Sequence, residues 1–210
     1  MLVLLAVALA GCGGQATHGT ATLWVTRDRG SQVVLVRSVP AGETAMQALE
    51  RSVKLKTRYG GRYVQGIDGI DGSLSARRDW FYFVNGIAPG VGAADVRLQP
   101  GDVEWWDYRS WGDGKEVPVV VGAFPEPFLH GGRPAVVVGS GAVARRLARL
   151  VHGRVAASAP RDANVLELVP GSGFTARMDG GRVVFTLGLA AAPRLAANTS
   201  LARFRYEGLS

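Results

Sequence analysis

The run Asp79-Trp80-Phe81-Tyr82-Phe83-Val84, closed by Asn85-Gly86, restricts the fold of this chain more than any other segment. Aromatic and β-branched side chains in unbroken succession suit a pleated, half-buried surface. Asn-Gly tolerates the positive φ values of a type I′ turn, so residues 79–84 are predicted as a strand ending in a tight turn. Upstream, the β-rich runs 22–26 and 32–36 flank Asp28-Arg29-Gly30-Ser31 and predict a hairpin. Thr44-Ala45-Met46-Gln47 has capping-box spacing, and Met46, Leu49 and Val53 follow at helical spacing, which predicts one short amphipathic helix. Residues 63–67 return to strand, and Leu98-Gln99-Pro100-Gly101-Asp102 turns the chain into a last strand over 103–108. Two strands, a helix and further strands in this order predict an α+β fold, a β-grasp-like sheet with one helix, over residues 22–113.

Residues 118–210 predict a separate small α/β domain of unknown role. Ala135-Val136-Val137-Val138 leads through Gly139-Ser140-Gly141 into a helix with Ala144, Leu147, Ala148 and Val151 on one face. Runs at 154–157, 165–169 and 183–187 read as strands, the last after Asp179-Gly180-Gly181. The tail from Ala190 to Ser210 reads either as a final helix or as frayed chain. Strand, Gly139-x-Gly141-x-x-Ala144 and helix approximate a dinucleotide fingerprint, whose glycines let the backbone approach a pyrophosphate. The acid required about 20 positions later is replaced by Ser158 and Ala159, so the glycines are expected to serve a tight strand-to-helix turn.

Apolar residues form 47% of the 210-residue chain and charged ones 20%, which excludes wholesale disorder. One Cys and three His leave no material for an intramolecular disulfide or a Cys-rich metal site, and no metal or cofactor is expected. Asp68, Asp71 and Asp79 stand beside glycines or strand ends as turn formers do, without the alternating oxygen ligands of a calcium loop. No G-x-S-x-G occurs, and Ser140 has no neighbouring His, so the chain is expected not to be an enzyme. The net charge of +7 lies mostly in the second half, where eleven basic residues face five acids across 118–210. Most basic residues are arginine, a bias that genome base composition can produce, and no nucleic acid partner is expected.

The first twelve residues are apolar and far shorter than the roughly 20 needed to span a bilayer. Leu9-Ala10-Gly11-Cys12 resembles the lipobox of bacterial lipoproteins, in which small residues admit the signal peptidase and the thiol accepts lipid. The expectation is a signal peptide over 1–12, lipidation at Cys12, a tether over 13–21 and an extracytoplasmic protein anchored to the bacterial cell membrane. No basic residue precedes the apolar run, unlike the usual signal peptide.

Gly42-x-Thr44-Ala45-Met46-x-Ala48-Leu49, Ile67-Asp68-Gly69, residues 80–86 and Leu98-x-Pro100-Gly101-Asp102-x-x-x-Trp106-x-Tyr108 together resemble the DUF4430 family, similar to the C-terminal β domain of transcobalamin and intrinsic factor. The resemblance spans residues 22 to 110. It implies a soluble-ligand-binding β-grasp domain, with a cobalamin-like molecule as one ligand. In the cobalamin carriers the ligand is held between this domain and a large helical barrel, for which this chain has no room.

On a strand, Trp80 and Tyr82 face one side while Phe81 and Phe83 face the other. Trp106 and Tyr108 share a parity on their own strand, so Trp80, Tyr82, Trp106 and Tyr108 are expected to form one exposed aromatic face for a flat ligand. The wholly apolar start of the set Phe81, Phe83 and Trp105 makes it the expected core against the helix. A concave pocket at the aromatics would indicate small-molecule capture, whereas a flat patch would indicate a protein or glycan interaction module.

Overall fold

The computed structural model describes residues 19–112 and 116–210. The sequence opens with the hairpin β1 (Thr20–Arg27) and β2 (Gln32–Pro40), whose turn residues Asp28, Arg29 and Gly30 all adopt positive φ. Helix α1 (Ala45–Glu50) starts on the predicted capping box: Gln47 N–H donates to Thr44 Oγ1 at 3.2 Å, and Thr44 N–H to Gln47 Oε1 at 2.9 Å. A small antiparallel sheet follows, made of β3 (Leu55–Arg58), β4 (Tyr63–Ile67) and β5 (Ile70–Asp71). The aromatic run forms β6 (Arg78–Val84), and β7 (Val103–Ser110) ends the first half.

These strands make a four-stranded sheet in the order β2-β1-β7-β6. The central pair, β1 and β7, is parallel and both outer pairs are antiparallel. The α+β class and the one helix across the sheet are as the sequence order predicts, whereas the parallel central pair and the separate β3-β4-β5 sheet are not read from it. Asn85 and Gly86 have φ values of 52° and 77°, as the turn requires. The turn does not join β6 to β7, however: it bridges Val84 to Ile87, and Ile87 pairs onward with Val119 of the second half. Asn85 Nδ2 donates to Asp102 Oδ1 at 2.7 Å, and Asn85 Oδ1 accepts from Val103 N–H at 2.8 Å. The Asn-Gly and Pro-Gly-Asp motifs are thus bonded to each other.

The second half contains a 3₁₀ turn at Val121–Ala123, helix α2 (Glu126–Leu129), β8 (Ala135–Val138), α3 (Gly141–Leu150), β9 (Arg154–Ala156), β10 (Asn164–Val169), β11 (Phe174–Asp179), β12 (Arg182–Gly188) and α4 (Ala192–Ala197). Its sheet runs β11-β12-β10-β8-β9, parallel except for β11 at the edge. Ala144, Leu147, Ala148 and Val151 bury the predicted face of α3. Ser140 makes no side-chain cap at the start of α3, and a Cβ at Gly139 would stand 2.9 Å from Leu168 Cδ1, so these residues serve a close-packed turn. The tail is helical and then packs, with Leu195 and Ala202 fully buried.

Both faces of the first sheet are covered over β1, β7 and β6, whereas β2 is largely exposed. One carries Leu23, Val25, Trp80, Trp106 and Tyr108 against Met46 and Leu49 of α1. The other carries Trp24, Phe83 and Trp105 against Val120, Ala123 and Tyr206 of the second half. The expected assignment of aromatic faces is therefore corrected: the Trp80 set meets the helix, and the Phe83–Trp105 set meets the second half. The polar ends of the first set do not force exposure, because they find partners inside. Trp80 Nε1 donates to Ile70 O at 2.8 Å, Tyr108 Oη to Asp71 O at 3.1 Å and Trp106 Nε1 to Glu104 Oε1 at 2.5 Å.

Candidate functional site

In the order β2-β1-β7-β6, β6 is an outer strand, so one of its backbone edges is free to face something other than β7. A cavity of about 560 Å³ lies along it. Its walls come from β6 itself, from the loop 88–92, from 116–118 and from Arg109 of β7. The cavity meets the edge of the strand and not one face, so residues of both parities line it, Trp80 and Tyr82 as well as Phe81 and Phe83. Its size and mostly apolar lining with few polar groups are those of a small-molecule site.

Of the four residues expected to bind ligand, the structure brings Trp80 and Tyr82 to this cavity, and Trp106 and Tyr108 are not among its walls. The four do pair across the strands: Tyr82 stacks on Trp106 at 4.9 Å between ring centroids, and Trp80 lies 5.2 Å from Tyr108. Trp80, Trp106 and Tyr108 are 7%, 3% and 7% exposed, so the set forms mainly core and not an open stacking platform. Tyr82 is half-buried and its hydroxyl donates to Val91 O, tying the loop 88–92 to the strand. A smaller void of about 190 Å³ adjoins Tyr82, Trp106 and Met46.

The sequence reading passed over Arg109 and gave Phe81 to the core. The Arg109 guanidinium lies 3.8 Å from the centroid of the Phe81 ring, and the residue is only 3% exposed. Nη1 donates to Ser110 O at 3.2 Å, while Nε is buried without a partner among the described residues. A cation held against an aromatic face is favourable, and more so when it is desolvated. The parity shared by Phe81 and Phe83, and by Trp105 and Arg109, was available as a signal. Which strand lies at the edge was not.

Two further groups set the electrostatics. Burial among apolar side chains pushes the Glu104 carboxyl up to about 8, against the opposing hydrogen bond from the Trp106 indole. Its Oε2 has no partner among the described residues. Burial, followed by the charges of Glu104 and Asp95, pushes the Tyr82 hydroxyl up to about 12, so Tyr82 remains a neutral donor. Beneath the opposite face, Asp107 accepts from Thr26 Oγ1 at 2.6 Å, Gly30 N–H at 3.2 Å, Arg29 N–H at 3.1 Å and Tyr206 Oη at 2.9 Å. That fully bonded carboxylate joins the halves and leaves no free acceptor chemistry for a ligand.

Among the described residues, no group of three or more His, Cys, Asp or Glu is placed to hold a metal ion. His130 lies between Asp102 Oδ1 at 3.2 Å and Glu126 Oε2 at 2.9 Å, a contact between the halves. Burial outweighs the nearby His130 and keeps the Glu126 carboxyl above its ordinary value. No helix among the described residues is long and apolar enough to cross a membrane. Cys12 and the lipobox lie outside the described residues.

Residues 42–110 match the family described as "Domain of unknown function (DUF4430)". No curated protein matches the chain. Among solved structures, haptocorrin in complex with Cbi is similar over 43% of this chain at 16% identity, with a TM-score of 0.36. The chain spans 24% of that haptocorrin chain. A protein of Ruminococcus gnavus ATCC 29149, described as a candidate metal-binding protein, is similar over 44% of this chain and 98% of its own, at 16% identity and a TM-score of 0.37.

Proposed function

We propose that this chain is a non-enzymatic ligand-binding protein, anchored by lipid at Cys12 outside the bacterial cytoplasmic membrane, which captures a small molecule in the cavity along β6. The observation that carries this reading is the cavity itself: about 560 Å³, walled by aromatic and aliphatic side chains and holding a buried guanidinium. A concave site of several hundred Å³ favours small-molecule capture over a flat protein- or glycan-interaction module. Phe81, Trp80 and Tyr82 supply the contact area, and Arg109 supplies orientation.

The resemblance of residues 22–110 to the C-terminal β domain of the cobalamin carriers makes corrinoids one class to test. Calorimetric titration of the full chain with cobalamin, cobinamide and a panel of heterocycles and carboxylates checks the proposal. Saturable heat with at least one compound, reduced in Phe81→Ala, is the expected result. Heat unaffected by Phe81→Ala would remove the cavity from the account.

A further inference from the structure

The free edge of β6 carries its own hydrogen-bonding pattern. In an antiparallel pair the N–H and C=O of one residue point to the same side, and successive residues alternate. Asn85 N–H reaches Val103 O of β7 at 2.7 Å, which fixes the phase: Arg78, Trp80, Tyr82 and Val84 turn their backbone groups outward. At one end of this edge Arg78 exchanges both bonds with Ser73, and at the other Val84 exchanges both with Ile87. Between them the Trp80 N–H is taken by Asp79 Oδ1 at 2.9 Å. The Trp80 carbonyl and the N–H and carbonyl of Tyr82 have no partner among the described residues. The strand is thus closed at both ends and open over a short window, and the cavity lies against that window.

Resting on the reading of this cavity as a ligand site, we propose that its ligand is a short extended peptide with a free C-terminal carboxylate, added antiparallel to β6. One ligand residue exchanges two hydrogen bonds with Tyr82, and the N–H two positions later donates to the Trp80 carbonyl. An antiparallel ligand directs its C-terminus toward Asp79, and Arg109 stands opposite Asp79 in the β6–β7 register. The carboxylate would stand at the Asp79 end of the window, where Asp79 Oδ1 is held by the Trp80 N–H at 2.9 Å and the Arg109 guanidinium, packed on Phe81, supplies the opposing positive charge. The fork of Arg donors matches a carboxylate, and its buried position limits competition from water. The Ser73–Arg78 and Val84–Ile87 closures restrict the site to about three ligand residues at the 3.4 Å rise of a strand.

The test titrates the full chain with N-acetyl-trialanine, its C-terminal amide and three forms methylated singly at each backbone nitrogen, with amide hydrogen exchange at Tyr82 as the local readout. Expected are saturable binding of the carboxylate, at least tenfold weaker binding of the amide, and slowed exchange at Tyr82. Methylation at the first or third nitrogen should cost tenfold or more and at the second less than twofold, because only alternate N–H groups face the strand. Arg109→Gln should erase the difference between carboxylate and amide, and the ligand-side series stands even if that variant folds poorly. Equal affinity across the methylated series would overturn strand addition. Failure of every peptide while another small molecule protects Tyr82 would overturn the peptide but leave the cavity a ligand site. No protection by any compound would overturn both.

Discussion

Glu104 shows what single residues contribute here. It sits fully buried on the helix-facing side of β7, with one oxygen bonded to Trp106 and the other unpartnered among the described residues. Its carboxyl titrates at about 8 in the folded chain against an ordinary 4.5, so the fold favours the protonated form. Below about pH 4.5 the group is neutral folded and unfolded and costs nothing; as pH rises toward 8 the unfolded state releases its proton first, and stability falls. The loss has an upper limit of about 5 kcal/mol. Glu104→Gln keeps an acceptor for the indole without the charge. Denaturant midpoints at pH 5 and pH 8 should therefore differ much less in the variant than in the wild type, and parallel pH profiles would contradict this. Two aromatics make a second contrast. Trp106→Ala removes a core ring and should cost about 3–5 kcal/mol of stability. Phe81→Ala, at a half-buried cavity wall, should spare most of the stability and weaken ligand binding by about 1 kcal/mol.

At the scale of elements, most of the first half was legible because its signals are local. The Thr44–Gln47 capping box, the Asp28–Gly30 turn and the Asn85-Gly86 turn each depend on residues within four positions of one another, and each formed as read. The face assignment of β6 and β7 was not legible, because parity says which side chains share a side and not which element covers that side. Phe83 and Trp105 looked like core against the helix, yet are core against residues 120–123 and Tyr206, more than thirty positions away from Phe83 along the chain. The cavity was illegible for the same reason: it depends on β6 being an edge strand. Gly122 marks how closely the elements meet, since an added Cβ would stand 2.6 Å from Arg205 O and 2.7 Å from Trp105 Cζ3. Gly122→Ala should cost about 1–3 kcal/mol through overpacking, measured by chemical denaturation. An unchanged midpoint would show that this junction yields easily.

Over the whole molecule, one sheet joins two cores, with α1 on one side and the second half on the other. This leaves the outer edge of β6 as the place where strand backbone, aromatic side chains and a buried cation meet a cavity. The placement of the protein rests on Leu9-Ala10-Gly11-Cys12. Cys12→Ala should move the protein from the membrane fraction to the soluble fraction of bacteria expressing it, and identical fractionation of both forms would contradict the anchor. The central claim is that ligand enters the β6 cavity, and two-dimensional amide NMR of the full chain during ligand titration tests it most directly. Saturable shifts centred on Phe81, Tyr82, Val91 and Arg109 are expected. Shifts confined to the second half, or to β3 and β4, would contradict it.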